Sequence, residues 1–571
     1  MIRELQDYAK NHDLVAEPGY ASKQVQWCID ITSQGTYLGF VELGAAGDRK
    51  NRGIAFRKAP HLEQPELIGG GETRSHFLIE SLSVIALMSD DAKTQAKHGY
   101  FIRMLQVAAS SVPAFQAWVR CLQDDAVLDA IRKDIEETHA KPTDRATIRC
   151  DGWFAVEDAT WHDWWDVFRR SLQGDNGVVG RCLVTGVEGP IATTHPKVSG
   201  MVSLGGNSTG SVLVSFDKPA FSSYGLEQGA NAPISESVAA AYQSALNDLM
   251  SRGIELAGMK GLYWYKEAVP QSEDPLFFLG AAPSDEVQEM EALEEAKRTL
   301  NASREPQRFQ PGTSDNRFYL LLVSAVSARI MVRAWYEGTY DELKGHVEQW
   351  FQDTALVRRD GTPGRRRSLY RLLKGIQLAE RDWPAPLVRS FWEAAILDRP
   401  IPRPIAVVAL ERVRHDILRG EVPPEQATAV LKAFVTRTQG RDDNRMTVGL
   451  DPNRPEPAYH LGRLLALISR LQQESSRDRS SSGWVSRYYS AMSMTPALMV
   501  GRLLQLSEHY YARMGESRGL EHWFRMQIAD VMSHVGDIPR TFSLEEQALF
   551  ALGFYHQLAH RQDQKGDQKG E

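Results

Sequence analysis

The chain has 571 residues, of which 42% are hydrophobic and 24% charged, and its formal net charge at pH 7 is -7. This length predicts more than one domain and is ample for substantial cores. The acidic balance excludes a globally basic nucleic-acid-binding protein, so any contact with nucleic acid would come from local basic patches.

The chain carries no signal for export or membrane insertion. No CxxC pair occurs among its four cysteines, which are Cys28, Cys121, Cys150 and Cys182. So few cysteines make no disulfide framework and favour a reducing cytoplasm. The first residues are charged and lack the apolar core of a signal peptide. The longest apolar run, residues 318–332, is interrupted by Ser324, Ser327 and Arg329 and is too short to span a bilayer. We therefore expect a cytoplasmic protein without membrane contact.

The N-terminal part predicts short strands between helices and polar turns. We expect a helix that ends near residue 12, strands over residues 24–31, 37–41 and 53–56, and helical structure over residues 77–87 and 101–135. Lys50 and Arg52 lie in a glycine-bounded turn. That turn is either a solvated hairpin tip or a finger that grips phosphate. Arg74 follows three glycines, which form either a plain turn or an anion-binding turn.

A tryptophan-rich segment follows at residues 151–170. Its four tryptophans are Trp153, Trp161, Trp164 and Trp165. They could form a platform for unpaired bases. The i, i+4 spacing of Trp164 and Phe168 favours instead one apolar helix face that anchors the core.

Residues 205–250 contain two polar loops that bear glycines. The first, GGNSTG, precedes an alternating segment over residues 211–216 that predicts a strand. The second loop lies between that segment and a helix whose predicted N-cap is Ser235. Loops of this kind bring bare backbone and amide side chains close to a ligand.

The next segments predict a domain boundary and a basic surface. Residues 284–317 are acidic and then rich in Pro, Gly and Ser, so we interpret them as a polar linker. Residues 318–335 predict two strands joined at 324–327, with a helix over residues 340–351. Six arginines then surround a Gly/Pro turn: Arg358, Arg359, Arg365, Arg366, Arg367 and Arg371. They form either a solvated face or a contact with nucleic acid.

From residue 383 onward the periodicity predicts helices alone. Their expected spans are 385–397, 402–419, 424–438, 458–473, 484–513 with a break at Pro496, 520–535 and 544–561. The fold class is therefore α+β, with a mixed N-terminal α/β region of short strands and Gly-rich loops before a C-terminal all-α helical bundle. The predicted domains are residues 1–283, the linker 284–317, residues 318–445 and the bundle 446–571.

Catalytic motifs are few. The His-Asp dipeptides at residues 12, 162 and 415 are the type of pair that metal-dependent phosphohydrolases of the HD type use, but so short a pattern arises readily by chance. The chain has no P-loop, no GxSxG elbow and no HExxH motif. The sequence therefore predicts no catalytic residue, no metal and no cofactor.

Three segments carry a family resemblance. They are SFDKPAFSSYGLEQGANAPISESVAAAYQSALNDL at 215–249, FYLLLVSAVSARIMVRAWYEG at 318–338 and NRPEPAYHLGRLLALISRLQQ at 453–473. Together they strongly resemble the Csd-type large subunit of type I-C CRISPR Cascade, an RNA-guided DNA-surveillance complex. The resemblance spans nearly the whole chain in the right order.

The resemblance implies a noncatalytic subunit in antiviral defence. Such subunits recognise the protospacer-adjacent motif in double-stranded DNA, promote duplex opening and R-loop formation, and stabilise the displaced nontarget strand, while the guide reads the target by base pairing. The implied partners are the guide RNA-bound backbone subunits, the subunit that holds the guide 5' handle, small subunits, target DNA and a helicase-nuclease. The alternatives are an HD-type metal-dependent nuclease and a purely architectural subunit.

The resemblance and the residue types together nominate site residues. For motif reading they are Gly205, Gly206, Asn207 and Ser208, with Gln228 and Asn231 second. For phosphate contact they are Lys50, Arg52, Arg74, Arg358, Arg359, Arg365, Arg366, Arg367 and Arg371. Each of these loops could equally be a structural turn.

The bundle carries one more inference. In this subtype the small subunit resembles the tail of the large subunit and comes from an internal translation start. Met446 falls in a polar break just ahead of the predicted bundle. We therefore predict that Met446 begins a separate small-subunit product.

Overall fold

A computed structural model describes residues 1–14, 17–44, 53–63, 66–67, 71–173, 178–222, 224–256, 258–280, 316–359, 362, 364, 366–379, 383–439, 445–475, 483–514 and 518–560. The chain divides into two compact units. The first unit comprises Met1–Gly253 and Leu322–Trp335, and the second comprises Ile254–Leu321 and Tyr336–Glu571.

The first unit is organised by a small mixed sheet. Its strands are β2 (Trp27–Ile31), β3 (Tyr37–Glu42), β5 (Glu80–Ser81), β6 (Arg145–Cys150) and β7 (Trp153–Phe154), in the order β3-β2-β6-β5 with β7 also on β6. Strands β2 and β6 are parallel, and each is buried along most of its length. One face of this pair is apolar, and the other carries an ion pair between Asp30 and Arg149. Strands β1 (Tyr20–Val25) and β4 (Ile54–Pro60) form a separate antiparallel pair.

Helices cover this sheet and complete the core. They are α1 (Ile2–Asn11), α2 (Leu82–Ile85), α3 (Ala92–Ala108), α4 (Phe115–Leu122), α5 (Asp125–Glu137) and α6 (His162–Gln173). Trp161 and Trp165 are fully buried, and Trp164 stacks on Phe168 with ring centroids 5.0 Å apart. The prediction that the tryptophans anchor the core is confirmed.

The helix expected over residues 77–87 is wrong in extent. Leu78 and Leu87 both have positive φ, and Glu80 and Ser81 pair with β6. A helix cannot continue through left-handed residues or through a strand pair. The predicted helix is therefore reduced to the single helical turn α2, Leu82–Ile85.

The middle of the first unit is mostly loops on a helical base. It contains the hairpin of β8 (Val179–Arg181) and β9 (Glu188–Pro190), short 3₁₀ turns, and α7 (Glu236–Arg252). The Ser235 side chain accepts a hydrogen bond from the Val238 N–H, so the predicted N-cap is confirmed. The strand expected over residues 211–216 is wrong. Only Ser211 and Val212 have bridge partners there, because no neighbouring strand runs along the rest of the segment in the described chain.

The second unit begins with a four-stranded sheet. Its order is β10 (Ile254–Leu256), β11 (Met259–Tyr265), β12 (Arg317–Val326) and β13 (Arg329–Thr339), and the short helix α8 is Pro275–Gly280. The distal part of the β12–β13 hairpin, Leu322–Trp335, groups with the first unit. Helix α9 (Tyr340–Thr354) follows through a capping box between Thr339 and Glu342. The predicted hairpin and helix are confirmed.

Helices form the rest of the second unit. They are α10 (Leu369–Ile376), α11 (Ala385–Ile396), α12 (Arg403–Leu418), α13 (Glu425–Gln439), α14 (Pro457–Ser475), α15 (Gly483–Met492), α16 (Pro496–Tyr511), α17 (Arg518–Ser533) and α18 (Leu544–Ala559). The predicted break at Pro496 is confirmed. Helices α14 and α18 approach so closely that a Cβ on Gly462 or Gly553 would collide with the backbone of the other helix.

The architecture confirms the predicted α+β class, with strands concentrated before residue 340 and helices after it. Helix α18 packs on α13 as well as on α14, so helices on both sides of Met446 share a core. The predicted boundaries at residues 283, 317 and 445 differ from the two compact units and stay predictions. Residues 281–315 lie outside the described residues. No helix in the described part of the chain is long and apolar enough to cross a membrane.

Candidate nucleic-acid interface

The two glycines of the first loop are required by close backbone packing. Gly205 has φ +89° and ends a 3₁₀ turn, and a Cβ there would lie 2.9 Å from the Ala325 carbonyl oxygen. A Cβ on Gly206 would lie 2.6 Å from Met201 Cβ, and the Gly206 N–H donates to the Met201 carbonyl at 2.8 Å. Both positions therefore exclude larger residues irrespective of any ligand.

Asn207 and Ser208 form the exposed crest of this loop. The Gly210 N–H donates to the Asn207 carbonyl at 3.0 Å, which closes a tight turn around them. Among the described residues, neither side chain has a hydrogen-bond partner within the protein. The amide of Asn207 therefore presents both a donor and an acceptor to solvent.

The tip of the β12–β13 hairpin holds this loop in place. Gly206 and Val212 form β-bridges with Ser327 and Arg329. The Ser327 N–H donates to the Gly205 carbonyl at 3.1 Å, and the Ile330 N–H donates to the Val212 carbonyl at 2.8 Å. The loop is thus fixed at both ends by main-chain hydrogen bonds, which leave little freedom to the crest between them.

The second predicted reading loop is braced by its own side chains. Gln228 is exposed and has φ +45°. The Asn231 amide donates two hydrogen bonds, to the Leu226 and Gln228 carbonyls, each at 3.1 Å. The donors of Asn231 are therefore used inside the loop, whereas Gln228 remains available to a ligand.

Of the three residues predicted to contact phosphate in the N-terminal region, the structure describes only Arg74. Lys50 and Arg52 lie outside the described residues, as do two of the three glycines before Arg74. Arg74 itself is buried, donates to the Glu66 carbonyl at 2.6 Å and lies 3.6 Å from the Glu72 carboxylate. These internal partners explain its position in the fold, and its contact with phosphate stays a prediction.

The arginine-rich segment of the second unit forms a closed turn before α10. The Arg358 N–H donates to the Thr362 carbonyl at 2.8 Å, and the Gly364 N–H donates to the Leu356 carbonyl at the same distance. The Tyr555 hydroxyl donates to the Val357 carbonyl at 3.1 Å. The turn is therefore anchored to the last helix of its own unit.

The arginines of this segment divide by exposure. Arg359 is exposed, and Arg358 and Arg371 are partly exposed. The Arg366 guanidinium lies over the Phe351 ring at 4.8 Å, whereas Arg367 is buried and pairs with Glu425. Arg365 lies outside the described residues. The accessible charges of the set are thus concentrated at residues 358–359, 366 and 371.

Met446 is buried, with 2% of its surface exposed. Its neighbour Arg445 donates to the Gln352 side chain at 2.9 Å, and the Val357 N–H donates to the Val448 carbonyl at 2.9 Å. The segment around the predicted start therefore packs onto the region that precedes it.

The first unit also contains a cavity of about 270 Å³ that the sequence did not reveal. Glu63, Glu66, Arg169 and Glu236 line it, and Arg169 pairs with Glu66 at 2.7 Å and with Glu236 at 3.2 Å. Burial and then the neighbouring Glu66 raise the pKa of Glu63 to about 7. No short motif connects these residues, so only the fold shows that they meet.

The His-Asp dipeptides do not form a metal centre in the described chain. His12 stacks on Tyr8, and His415 pairs with Asp416, which also binds Arg412 at 2.9 Å. No group of three His, Cys, Asp or Glu side chains among the described residues could hold a metal ion. In α18 the Nδ1 atom of His556 lies 2.9 Å from the Tyr459 hydroxyl in the core.

Sequence reasoning also missed three residues that join the two loops. The Arg329 guanidinium forms an ion pair with Asp217 and lies 4.8 Å from the centre of the Phe221 ring. Asp217 and Arg329 are 112 positions apart, so no local pattern signals their contact. Because Arg329 also bridges Val212, both loops meet at the hairpin tip.

The comparison with known families gives one match over nearly the whole chain. No curated protein sequence matches it significantly. The family of CRISPR-associated proteins named Cas_Csd1 matches residues 3–562. This match includes both loops, the hairpin and the C-terminal helices. The chain therefore belongs to the CRISPR-associated Cas_Csd1 family, and it is a large subunit of a Cascade complex.

Proposed function

We propose that this chain is the noncatalytic large subunit of a type I-C Cascade and recognises the protospacer-adjacent motif in double-stranded DNA. The observation that carries the proposal is the crest of Asn207 and Ser208, exposed on a loop whose flanks are fixed by backbone hydrogen bonds. A fixed loop loses little conformational entropy on binding, so its few polar groups can discriminate between sequences.

The chemistry of the crest suits the edges of base pairs. Minor-groove edges present acceptors at every pair and an added donor at G·C pairs. A side-chain amide has both complementary groups, and the small Gly205, Gly206 and Ser208 keep the loop narrow enough to approach the floor of the groove. Gln228 of the second loop offers a second exposed amide.

Phosphate contacts would supply affinity without sequence preference. The accessible arginines at 358–359, 366 and 371 suit a role along the duplex or the displaced strand. On this proposal the chain promotes duplex opening and R-loop formation beside backbone subunits bound to guide RNA, the subunit that holds the guide 5' handle, and small subunits. A helicase-nuclease recruited afterwards performs the cleavage in the cytoplasm.

The test compares flank discrimination by wild-type protein and two variants in the guide-loaded complex. The ligands are matched duplexes with the correct or a scrambled flank. We expect Asn207→Ala to reduce the ratio of the two affinities by about three- to tenfold, because one hydrogen bond to a base edge is lost. Thr209→Ala, at an exposed polar residue of the same loop, is the matched control and should preserve the ratio.

The same experiment separates the alternatives. Equal discrimination by wild type and Asn207→Ala would remove the reading role of the loop. Assembly without any flank dependence in the wild type would favour a purely architectural subunit. DNA cleavage that requires a divalent metal and is lost in His162→Ala or His415→Ala would favour a nuclease.

We further propose that translation from Met446 produces a separate small-subunit protein. The start lies ahead of α14, so the product would contain α14–α18 without cutting a helix. Replacement of Met446 by Ala should abolish the short polypeptide on a protein gel. Persistence of that polypeptide at the same length would refute the position.

A further inference from the structure

The hairpin tip does more than hold the first loop, because one of its side chains also reaches the second. Arg329 contributes its backbone to the bridge with Val212. Its guanidinium pairs with Asp217 and stacks on Phe221, at the start of the second loop. One residue therefore contacts the exit of the first loop and the entrance of the second.

The contacts of Arg329 are geometrically specific. A planar guanidinium can pair with a carboxylate at its edge while its face lies over an aromatic ring. A lysine could keep the charge but would lose the planar stack. The pKa of Asp217 is lowered by a hydrogen bond from the Asp217 backbone N–H and then by the Arg329 guanidinium, so the carboxylate stays ionised.

Arg329 and its partners remain partly exposed to solvent. The side chains of Arg329 and Asp217 are 39% and 61% exposed, so their attraction is screened and contributes modestly to overall stability. Phe221 lies in a 3₁₀ turn, Pro219–Phe221, that has no buried residue. The contact with Arg329 therefore joins this exposed turn to the hairpin.

We propose that Arg329 is a positioning residue that sets the spacing between the two reading loops, and this inference rests on the function proposed above. The two loops can discriminate a flank longer than one base pair only if their side-chain amides are held at a fixed spacing. Loss of the guanidinium would free the entrance of the second loop, residues 217–222. The main-chain bridges would still hold the first loop, and the hydrogen bond from the Gly229 N–H to the Thr193 carbonyl, 2.9 Å, would still hold the far part of the second. Arg329 then determines specificity without touching a base.

Two measurements on Arg329→Ala and Arg329→Lys test the proposal. The first is hydrogen exchange of the full chain, in which amides of residues 217–222 should exchange faster in both variants, while the hydrogen-bonded amides of residues 205–206 and 210–212 remain protected. The second is flank discrimination by the guide-loaded complex, which should fall about three- to fivefold in Arg329→Ala. Arg329→Lys should recover at most part of this loss, because it keeps the charge without the stack.

Lys218→Ala is the matched control, since it removes an exposed charge beside Asp217 without removing the contact. It should lower affinity equally for both flanks, or not at all, and leave exchange unchanged. A further variant, Asp217→Asn, removes the ion pair but leaves the guanidinium over Phe221, so its effect on exchange should be smaller than that of Arg329→Ala.

The outcomes separate this inference from the proposed function. Unchanged exchange of residues 217–222 in Arg329→Ala would overturn the positioning role. Faster exchange with unchanged discrimination would also overturn it, provided that wild type discriminates. If wild type does not discriminate between flanks, the proposed function fails, and the exchange result alone decides whether Arg329 fixes the entrance of the second loop.

Discussion

Arg359 and Arg367 are eight positions apart in one basic segment, yet the structure assigns them different tasks. Arg359 is exposed, whereas the Arg367 side chain is 7% exposed and pairs with Glu425 on α13. We therefore predict that Arg367→Ala lowers the stability of the second unit. Arg359→Ala should leave stability unchanged and weaken DNA binding.

The magnitude follows from the burial of the pair. Removal of one partner from a fully buried ion pair costs about 3–5 kcal/mol. Glu425 keeps 34% of its side-chain surface exposed, so it regains hydration when Arg367 is removed. We expect a loss of about 2 kcal/mol in the free energy of unfolding, and less than about 0.5 kcal/mol for Arg359→Ala.

The assay combines urea unfolding of the full chain with DNA binding by the guide-loaded complex over a range of salt concentrations. Arg359→Ala should reduce the slope of log affinity against log salt by about one, as expected for one lost phosphate contact. Arg367→Ala should leave that slope unchanged in complexes that assemble. The reasoning is refuted if Arg367→Ala unfolds like wild type and instead reduces the slope of log affinity against log salt.

Two further predictions concern the cores of the two units. Gly553→Ala should lower the free energy of unfolding in urea by about 2–3 kcal/mol, because its Cβ would meet the Tyr459 carbonyl. The control Gly501→Ala, in open space on α16, should instead stabilise the chain by up to about 1 kcal/mol. Equal effects of the two variants would contradict the close helix packing. Folding raises the pKa of Glu63 from 4.5 to about 7, so the folded chain binds the proton more tightly and stability falls as pH rises through this window. Glu63→Gln should therefore raise the melting temperature at pH 8 and leave it unchanged at pH 4, and an equal change at both values would refute the raised pKa.

The helices of the second unit were predictable because each carries its own signals. Apolar periodicity, together with Pro402, Pro424 and Pro496 near helix starts, placed most ends within two residues of those observed. The tryptophan segment was also predictable, because the i, i+4 spacing of Trp164 and Phe168 depends on local geometry alone. Local rules suffice where the stabilising partner is nearby in sequence or is any apolar core.

The loops were less predictable because their structure depends on distant partners. Alternation over residues 211–216 suggested a strand, but a strand needs a neighbour, and only Val198 and Arg329 supply bridges. Likewise, the sequence presents Arg359 and Arg367 as equal charges. Their difference comes from Glu425, 58 positions beyond Arg367. The glycines at 205 and 206 were assigned to ligand approach, whereas the fold itself already requires them.

The most direct test of the central claim is photo-cross-linking from the crest of the first loop. A photoreactive amino acid in place of Asn207, in the guide-loaded complex, is irradiated with matched duplex DNA, and the cross-linked nucleotides are mapped. The account predicts cross-links confined to the base pairs of the flanking motif, and their loss when that flank is scrambled. Cross-links to the guide or to another subunit, or none to the flank, would contradict the assignment of this loop as the reader of the motif.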